Sequence, residues 1–237
     1  MHLTADRMKL SPDNAHTLRE CAAPGLHDQA FTRVQRLYPS GCAPVLDLGG
    51  GTGAWTDRLA RSGFGEVVAL DLNPSVFAGS SQFICGDLNQ DFAFLMPGRK
   101  FRLITAIEVI EHLENPAHFL RQCALLLDPD GWLVLTTPNI ESMPSRIKFL
   151  VQGRIRHFDA NGDPTHITPI HSFLLNRLAA RAGLTVCERV GLVRFWQDGR
   201  RLFTALAAGV APFVGGAPFG ACHYSALRHV LGTGRGD

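Results

Sequence analysis

The chain has 237 residues, 46% hydrophobic and 19% charged, a balance that fits one globular domain with a proper core and excludes a disordered or fibrous chain. Its 23 basic and 21 acidic residues give a formal charge of +2, too near neutral to point to nucleic acid by itself. The cysteines at 21, 42, 85, 123, 187 and 222 are scattered without a C-x-x-C pair, so free thiols in a reducing cytoplasm are expected. Met1 to Glu20 lacks the apolar core of a signal peptide.

Residues 1–24, broken by Pro12 and Pro24, read as a loose leader. A helix is expected over Leu26–Tyr38, with Phe31, Val34 and Leu37 at helical spacing. Strands follow at Val45–Leu48, Glu66–Leu70, Gln82–Cys85 and Phe101–Ile107, with a helix from Trp55 to Arg61 after the first. Pro116–Leu127 reads as a helix with proline in its first turn, Asp128–Gly131 as a turn and Trp132–Thr137 as a fifth strand ended by Pro138. Residues 138–168 read as irregular. Ser172–Ala182 is expected to be a helix stopped by Gly183, and Leu184–Val190 a sixth strand. The region 200–214 looks helical, and Tyr224–Leu231 reads as a final edge strand. This alternation predicts an α/β, doubly wound, mostly parallel seven-stranded sheet with helices on both faces. The expected divisions are a leader and helix over 1–40, a core over 41–195 with an acceptor-side insertion at 138–170, and a C-terminal helix and edge strand over 196–237.

The most informative stretch is Val45-Leu46-Asp47-Leu48-Gly49-Gly50-Gly51-Thr52-Gly53, which reads as strand, tight turn and helix start. Glycines remove Cβ atoms where the backbone turns sharply or a ligand comes close. The spacing is G-x-G-x-G, and an acid stands two residues before it; a pyrophosphate disfavours that carboxylate, whereas a cationic amino group is favoured by it. Asp71, at the end of the second strand, is suited to accept two ribose hydroxyls, with Leu72 beside it, or else to cap a helix starting near Pro74. Asp47, Asp71, Asp87 and Glu108 all stand at or just past strand ends, where ligands bind in such sheets.

Glu108, Glu111 and His112 follow the fourth strand at i, i+3 and i+4 and so project from one side of a helical turn. Two carboxylates and an imidazole suit a divalent ion such as Mg²⁺ or Mn²⁺. Without a metal, His112, with Glu111 beside it, serves as general base or only braces the turn. Glu114, His118 and His157 read as surface residues. The outer segments 1–40, 138–170 and 195–222 are apolar with scattered arginines and lack the basic, aromatic stripe of an RNA surface. The basic residues Arg146, Lys148, Arg154, Arg156, Arg177 and Arg181 read first as a solvated face and second as an anionic-substrate or membrane-facing patch. Leu202–Val214, interrupted by Pro212, is too short to span a bilayer and reads as a core helix or a membrane-surface helix.

DLGGGTG, ALDLNP, ICGDLN, FRLITAIEVIEHL and LLLDPDGWLVLTTPN together resemble the class I S-adenosylmethionine-dependent methyltransferases over about residues 40–190. The resemblance implies that Asp47, Gly49, Gly50, Gly51 and Gly53 hold the methionine end of the cofactor, Asp71 with Leu72 the ribose, and Asp87 with Leu88 the adenine. E-x-x-E-H also resembles the ubiquinone-pathway O-methyltransferases and the small-RNA terminal 2′-O-methyltransferases, which add a distant His after the fifth strand. His166 fits that place, with His171 as the alternative. The expectation is therefore a methyltransferase acting on oxygen of a small or lipid-linked acceptor (a quinone precursor, glycan or secondary metabolite), with Glu108, Glu111, His112 and His166 as metal set. Nucleic acid is not favoured, and the C-terminal apolar segment is a candidate for peripheral contact with the inner membrane surface. A metal-independent C- or N-methyltransferase, a nicotinamide oxidoreductase and a non-catalytic cofactor-binding domain remain the alternatives.

Overall fold

The computed structural model describes residues 18–194 and 220–230. Five parallel strands come first: β1 (Val45–Leu48), β2 (Val67–Asp71), β3 (Gln82–Cys85), β4 (Phe101–Ile107) and β5 (Leu127–Pro138). They join β6 (Leu184–Arg194) and β7 (Gly220–His229) in one sheet of order β3-β2-β1-β4-β5-β7-β6, in which β7 runs antiparallel to both neighbours. The helices are α1 (Leu26–Leu37), α2 (Ala54–Arg61), α3 (Pro116–Leu126), α4 (Met143–Gln152) and α5 (Ser172–Arg181). β1 hydrogen-bonds to both β2 and β4, so the chain winds outward to β3 and returns to the other side of β1. A ligand crevice opens at such a reversal, beyond the carboxyl ends of the strands.

All four residues of β1 are buried, as expected of a parallel strand covered on both faces. One face packs Leu46, Leu48, Ile104 and Leu135 against Phe119, Leu120 and Leu175 of α3 and α5. The other packs Val45, Leu103, Val134 and Tyr224 against Leu26, Phe31, Trp55 and Leu59 of α1 and α2. All six cysteines are free. Among the described residues no helix is long and apolar enough to cross a membrane.

Three details differ from the sequence expectation. β7 is not an edge strand: it starts at Gly220 and lies between β5 and β6, leaving β3 and β6 as edges. Its first eight residues are all buried, and a strand covered in that way needs a partner on each side. Asp128–Gly131 is not a free turn but a bulge inside β5. Pairing with β4 jumps there from Phe101↔Leu127 to Leu103↔Trp132, and a Cβ on Gly131 would stand 2.9 Å from the Phe101 carbonyl oxygen. The segment after Pro138 is not wholly irregular: α4 starts on Ser142, whose hydroxyl accepts from the Ser145 N–H. Pro144 sits in its first turn, where proline starts a helix rather than breaking one. The expected helix over 200–214 and most of the leader lie outside the described residues.

Candidate active site

The glycine loop links β1 to α2, and Gly49, Gly51 and Gly53 all take positive φ (73°, 50° and 88°). A Cβ on Gly49 would meet Val109 Cγ2 at 2.5 Å, so its absence lets the turn after β4 seat directly on the loop. Gly51 has open space where its Cβ would be; its N–H donates to Asp71 Oδ2 at 2.9 Å. Gly50 packs closely on Ala69, a Cβ there standing 3.0 Å from the alanine methyl. Asp71 Oδ1 accepts from the Asn73 N–H at 3.0 Å, and residues 74–76 form a turn rather than a helix. Each Asp71 oxygen is thus used once and keeps a lone pair for a diol. Leu72, beside it, is 66% exposed. Asp87 Oδ1 caps its own turn through the Asn89 N–H at 2.8 Å, while Leu88 is turned into the core.

Asp47 faces inward. It is 1% exposed and accepts from Thr56 Oγ1 at 2.5 Å and Thr105 Oγ1 at 3.0 Å, tying β1 to α2 and β4. Burial pushes its carboxyl up to about 7, against the pull of the two hydroxyls. The carboxylate thus ties the end of β1 to the helix after the loop and to the neighbouring strand.

Past β4 the chain turns sharply. Glu108 takes a left-handed φ of 54°, and its N–H donates to Thr136 Oγ1 at 3.0 Å. Such strained non-glycine residues persist only where their surroundings fix them, and they cluster at functional sites. Glu108 Oε2 accepts from the Cys222 thiol at 3.4 Å, and Oε1 is buried without a hydrogen bond. Glu111 lies in the next 3-10 turn at 0% exposure, with neither carboxylate oxygen hydrogen-bonded. The Thr137 hydroxyl stands close enough to favour its charged form but not in hydrogen-bonding geometry. Burial, and for Glu111 also the Glu108 charge, raises both carboxyls above the ordinary range. The two unpartnered oxygens of Glu111 are buried polar atoms of the kind that a bound ion or water would satisfy.

The fourth member of the predicted metal set arrives from far along the chain. The N–H groups of Ile167 and Thr168 donate to the Glu111 carbonyl at 3.0 and 2.9 Å, and Thr168 Oγ1 donates to the Leu113 carbonyl at 2.5 Å. This clamp brings His166 edge-on to His112, ring centroids 4.7 Å apart. One ligating atom each from Glu111, His112 and His166 lies within 4.8 Å of the others. Glu108 is not part of this cluster. Its partner Thr136 and the neighbouring Thr137 near Glu111 are consecutive strand residues on opposite faces of the sheet. His171 stands apart as well, 3.6 Å from Glu141. Burial and the neighbouring His166 lower the His112 pKa, so its imidazole is neutral at pH 7. Two imidazoles and a carboxylate form a donor set for a divalent ion, and the buried, hydrogen-bond-free Glu111 carboxylate fits that use.

Sequence reasoning missed the residues that hold these ligands. Thr165 Oγ1 lies 2.9 Å from His112 Nδ1 and donates to Asp163 Oδ1 at 2.6 Å, a bond that lowers the Asp163 pKa. His157, expected at the surface, is half-buried; its carbonyl lies 3.0 Å from His166 Nδ1, and burial lowers its own pKa to about 4. The D-P-T-H string carried a signal, since Asp-x-Thr is a side-chain-closed turn. Nearby, Asn139 is fully buried, donates through Nδ2 to the Gly220 carbonyl at 2.9 Å and meets His223 Nε2 at 2.5 Å. These contacts fix where β7 enters the sheet. Of the aromatic residues in the outer segments 138–170 and 195–222, Phe149 and Phe158 are described; Phe195, Trp196, Phe203, Phe213 and Phe219 lie outside the described residues.

A family model described as a methyltransferase domain matches residues 14–189. Among curated proteins, a ubiquinone biosynthesis O-methyltransferase of Xanthomonas axonopodis pv. citri is 36% identical over 113 residues, covering 44% of this chain and 46% of that protein. A protein of the same name from Nitrosospira multiformis is 28% identical over 159 residues, covering 62% of this chain and 65% of the other. The chain thus spans between about half and two-thirds of the length of these relatives. A solved S-adenosylmethionine-dependent methyltransferase from Archaeoglobus fulgidus superposes with TM-score 0.62 at 19% identity, covering 86% of this chain and 94% of that one. Magnesium protoporphyrin IX methyltransferase from Synechocystis superposes with TM-score 0.57 at 15% identity over 87% and 84% of the two chains. At these identities the structural likeness speaks for the fold.

Proposed function

This chain belongs to the methyltransferase-domain family and is an S-adenosylmethionine-dependent methyltransferase, and from that premise we propose that it methylates an oxygen of a small acceptor with the help of a divalent ion. The observation that carries the proposal is the convergence of Glu111, His112 and His166, two of them within the turn after β4 and the third delivered by the 163–168 segment. The ubiquinone biosynthesis O-methyltransferases similar to this chain point the same way.

Methyl transfer from a sulfonium is an in-line displacement, so the protein's main task is to hold the two reactants in line. In this proposal the loop from Gly49 to Gly53 admits the methionine end of the cofactor, Asp71 accepts the ribose hydroxyls and Asp87 meets the adenine. Asp47 keeps the loop fixed. A bound divalent ion would lower the pKa of an acceptor hydroxyl and orient it. Glu111, His112 and His166 would hold that ion, and Glu108, buried just past the end of β4, would act on Glu111 only through its charge. The second reading is metal-free: His112, neutral at pH 7, is competent as a general base toward the acceptor proton.

The support for a lipid-linked acceptor lies in α4. Ile147, Leu150 and Val151, at i, i+3 and i+4 on one helix face, are 37%, 85% and 74% exposed, within a segment that also carries Arg146, Arg154 and Arg156, while Lys148 is paired with Asp159. An apolar face with basic neighbours suits the surface of an anionic bilayer. Peripheral membrane contact through α4 is therefore part of the proposal; the Leu202–Val214 segment lies outside the described residues. The reading is tested by offering an alkyl-substituted catechol, whose adjacent oxygens can chelate an ion, with S-adenosylmethionine and Mn²⁺. O-methyl product that disappears with a chelator is the expected result. Transfer to ring carbon, or turnover indifferent to chelation, would overturn it.

A further inference from the structure

We infer that Thr165 is a positioning residue for His112, holding the ring in the tautomer whose Nε2 lone pair is free; the inference rests on the metal-site reading above. His112 Nδ1 has two partners, the Thr165 carbonyl oxygen at 3.2 Å and the Thr165 hydroxyl oxygen at 2.9 Å. A carbonyl oxygen only accepts. The hydroxyl has one proton, and that proton goes to Asp163 Oδ1 at 2.6 Å, in a turn also closed by the Thr165 N–H on the same oxygen at 2.8 Å. Both partners of Nδ1 are therefore acceptors, so Nδ1 carries the hydrogen and Nε2 is the nitrogen left with a lone pair.

The same segment treats the second imidazole in the same way. His166 Nδ1 faces the His157 carbonyl oxygen at 3.0 Å, which again can only accept, so Nε2 is its open nitrogen too. An N–H held by an oxygen acceptor while the other nitrogen faces an ion is how metal-binding histidines are oriented. One clamp thus does two things. The backbone bonds from Ile167 and Thr168 to Glu111 fix where the segment sits, and Thr165 fixes how His112 is turned. Removing the backbone donors would take proline substitutions that also change the chain's path, whereas the Thr165 hydroxyl can be tested singly.

The experiment uses the whole chain, ¹⁵N-labelled and metal-free, with long-range ¹H–¹⁵N spectra of His112 and a separate calorimetric titration with Mn²⁺. Thr165→Val keeps the shape and removes the hydroxyl; Thr165→Ser restores it. The expected spectrum has Nδ1 protonated and Nε2 bare in the parent and Thr165→Ser chains, and a measurably larger share of the other tautomer in Thr165→Val, where the backbone carbonyl of residue 165, at the longer 3.2 Å, is the acceptor that remains. The expected Mn²⁺ affinity falls about 10-fold to 100-fold in Thr165→Val and recovers in Thr165→Ser. A parent spectrum with Nε2 protonated, or a Thr165→Val chain identical to the parent in both measurements, overturns the positioning role. The predicted tautomers without Mn²⁺ binding to the parent would instead overturn the metal reading, and with it any role for Thr165 toward an ion.

Discussion

Asp71 and Asp47 show how two acids near one loop differ in consequence. Asp71 keeps spare lone pairs at the cleft edge while holding the Gly51 N–H. Asp71→Ala should therefore weaken S-adenosylmethionine and S-adenosylhomocysteine alike, by about 10-fold to 100-fold for the loss of roughly 1.5–3 kcal/mol of charged hydrogen bonding. Equilibrium titration with both nucleosides checks this, and a loss confined to one would contradict it. Asp47 is buried between two threonines with its carboxyl raised to about 7. Its folded-state pKa lies above the unfolded value, so the folded chain binds the extra proton between about pH 4 and 7 and stability falls as pH rises through that window. Asp47→Asn, which cannot ionise, should flatten that part of the melting-temperature profile; an unchanged slope would mean the carboxyl titrates normally.

At the level of elements, the loop and the turn after β4 act as one unit, because Gly49 has no Cβ to keep Val109 away. Gly49→Ala and Gly51→Ala should separate accordingly. Both force a left-handed alanine, at roughly 1 kcal/mol, but only Gly49→Ala also drives a methyl into Val109. Gly49→Ala should lose more cofactor affinity than Gly51→Ala measured with S-adenosylhomocysteine, and the reverse order would place the ligand directly over Gly51. For α4, Leu150→Glu with Val151→Glu should abolish sedimentation with anionic vesicles while leaving cofactor affinity unchanged; undiminished sedimentation would remove α4 from the membrane reading. Much of this was legible in the sequence. Glycine spacing, the acids at strand ends and E-x-x-E-H are local patterns whose geometry follows from backbone rules. What was not legible came from tertiary packing. That Asp47 turns inward depends on Thr56 and Thr105, one of them on a different strand. That Glu108 departs from Glu111 and His112 depends on Thr136 and on Cys222 of β7. The place of β7 itself was hidden because its apolar run fits an inner strand or an edge equally, and only pairing with β5 and β6 decides.

Over the whole molecule, the sheet edge carries two candidate sites: the glycine loop between β1 and α2 with Asp71 of β2, and a Glu-His-His cluster from the turn after β4 and the 163–168 segment. Filling the second site should stabilise the fold, since it neutralises the buried Glu111 carboxylate, neither oxygen of which is hydrogen-bonded. An ion at 100 times its Kd should add about 2.7 kcal/mol. The central claim is that both sites are real and distinct. The most direct measurement is calorimetric titration with S-adenosylmethionine and with Mn²⁺, on the parent chain and on His112→Ala with His166→Ala. Both chains should bind the cofactor, and only the parent should bind Mn²⁺. A double variant that still binds Mn²⁺ at parental strength, or a parent that binds the cofactor and no ion, would contradict it.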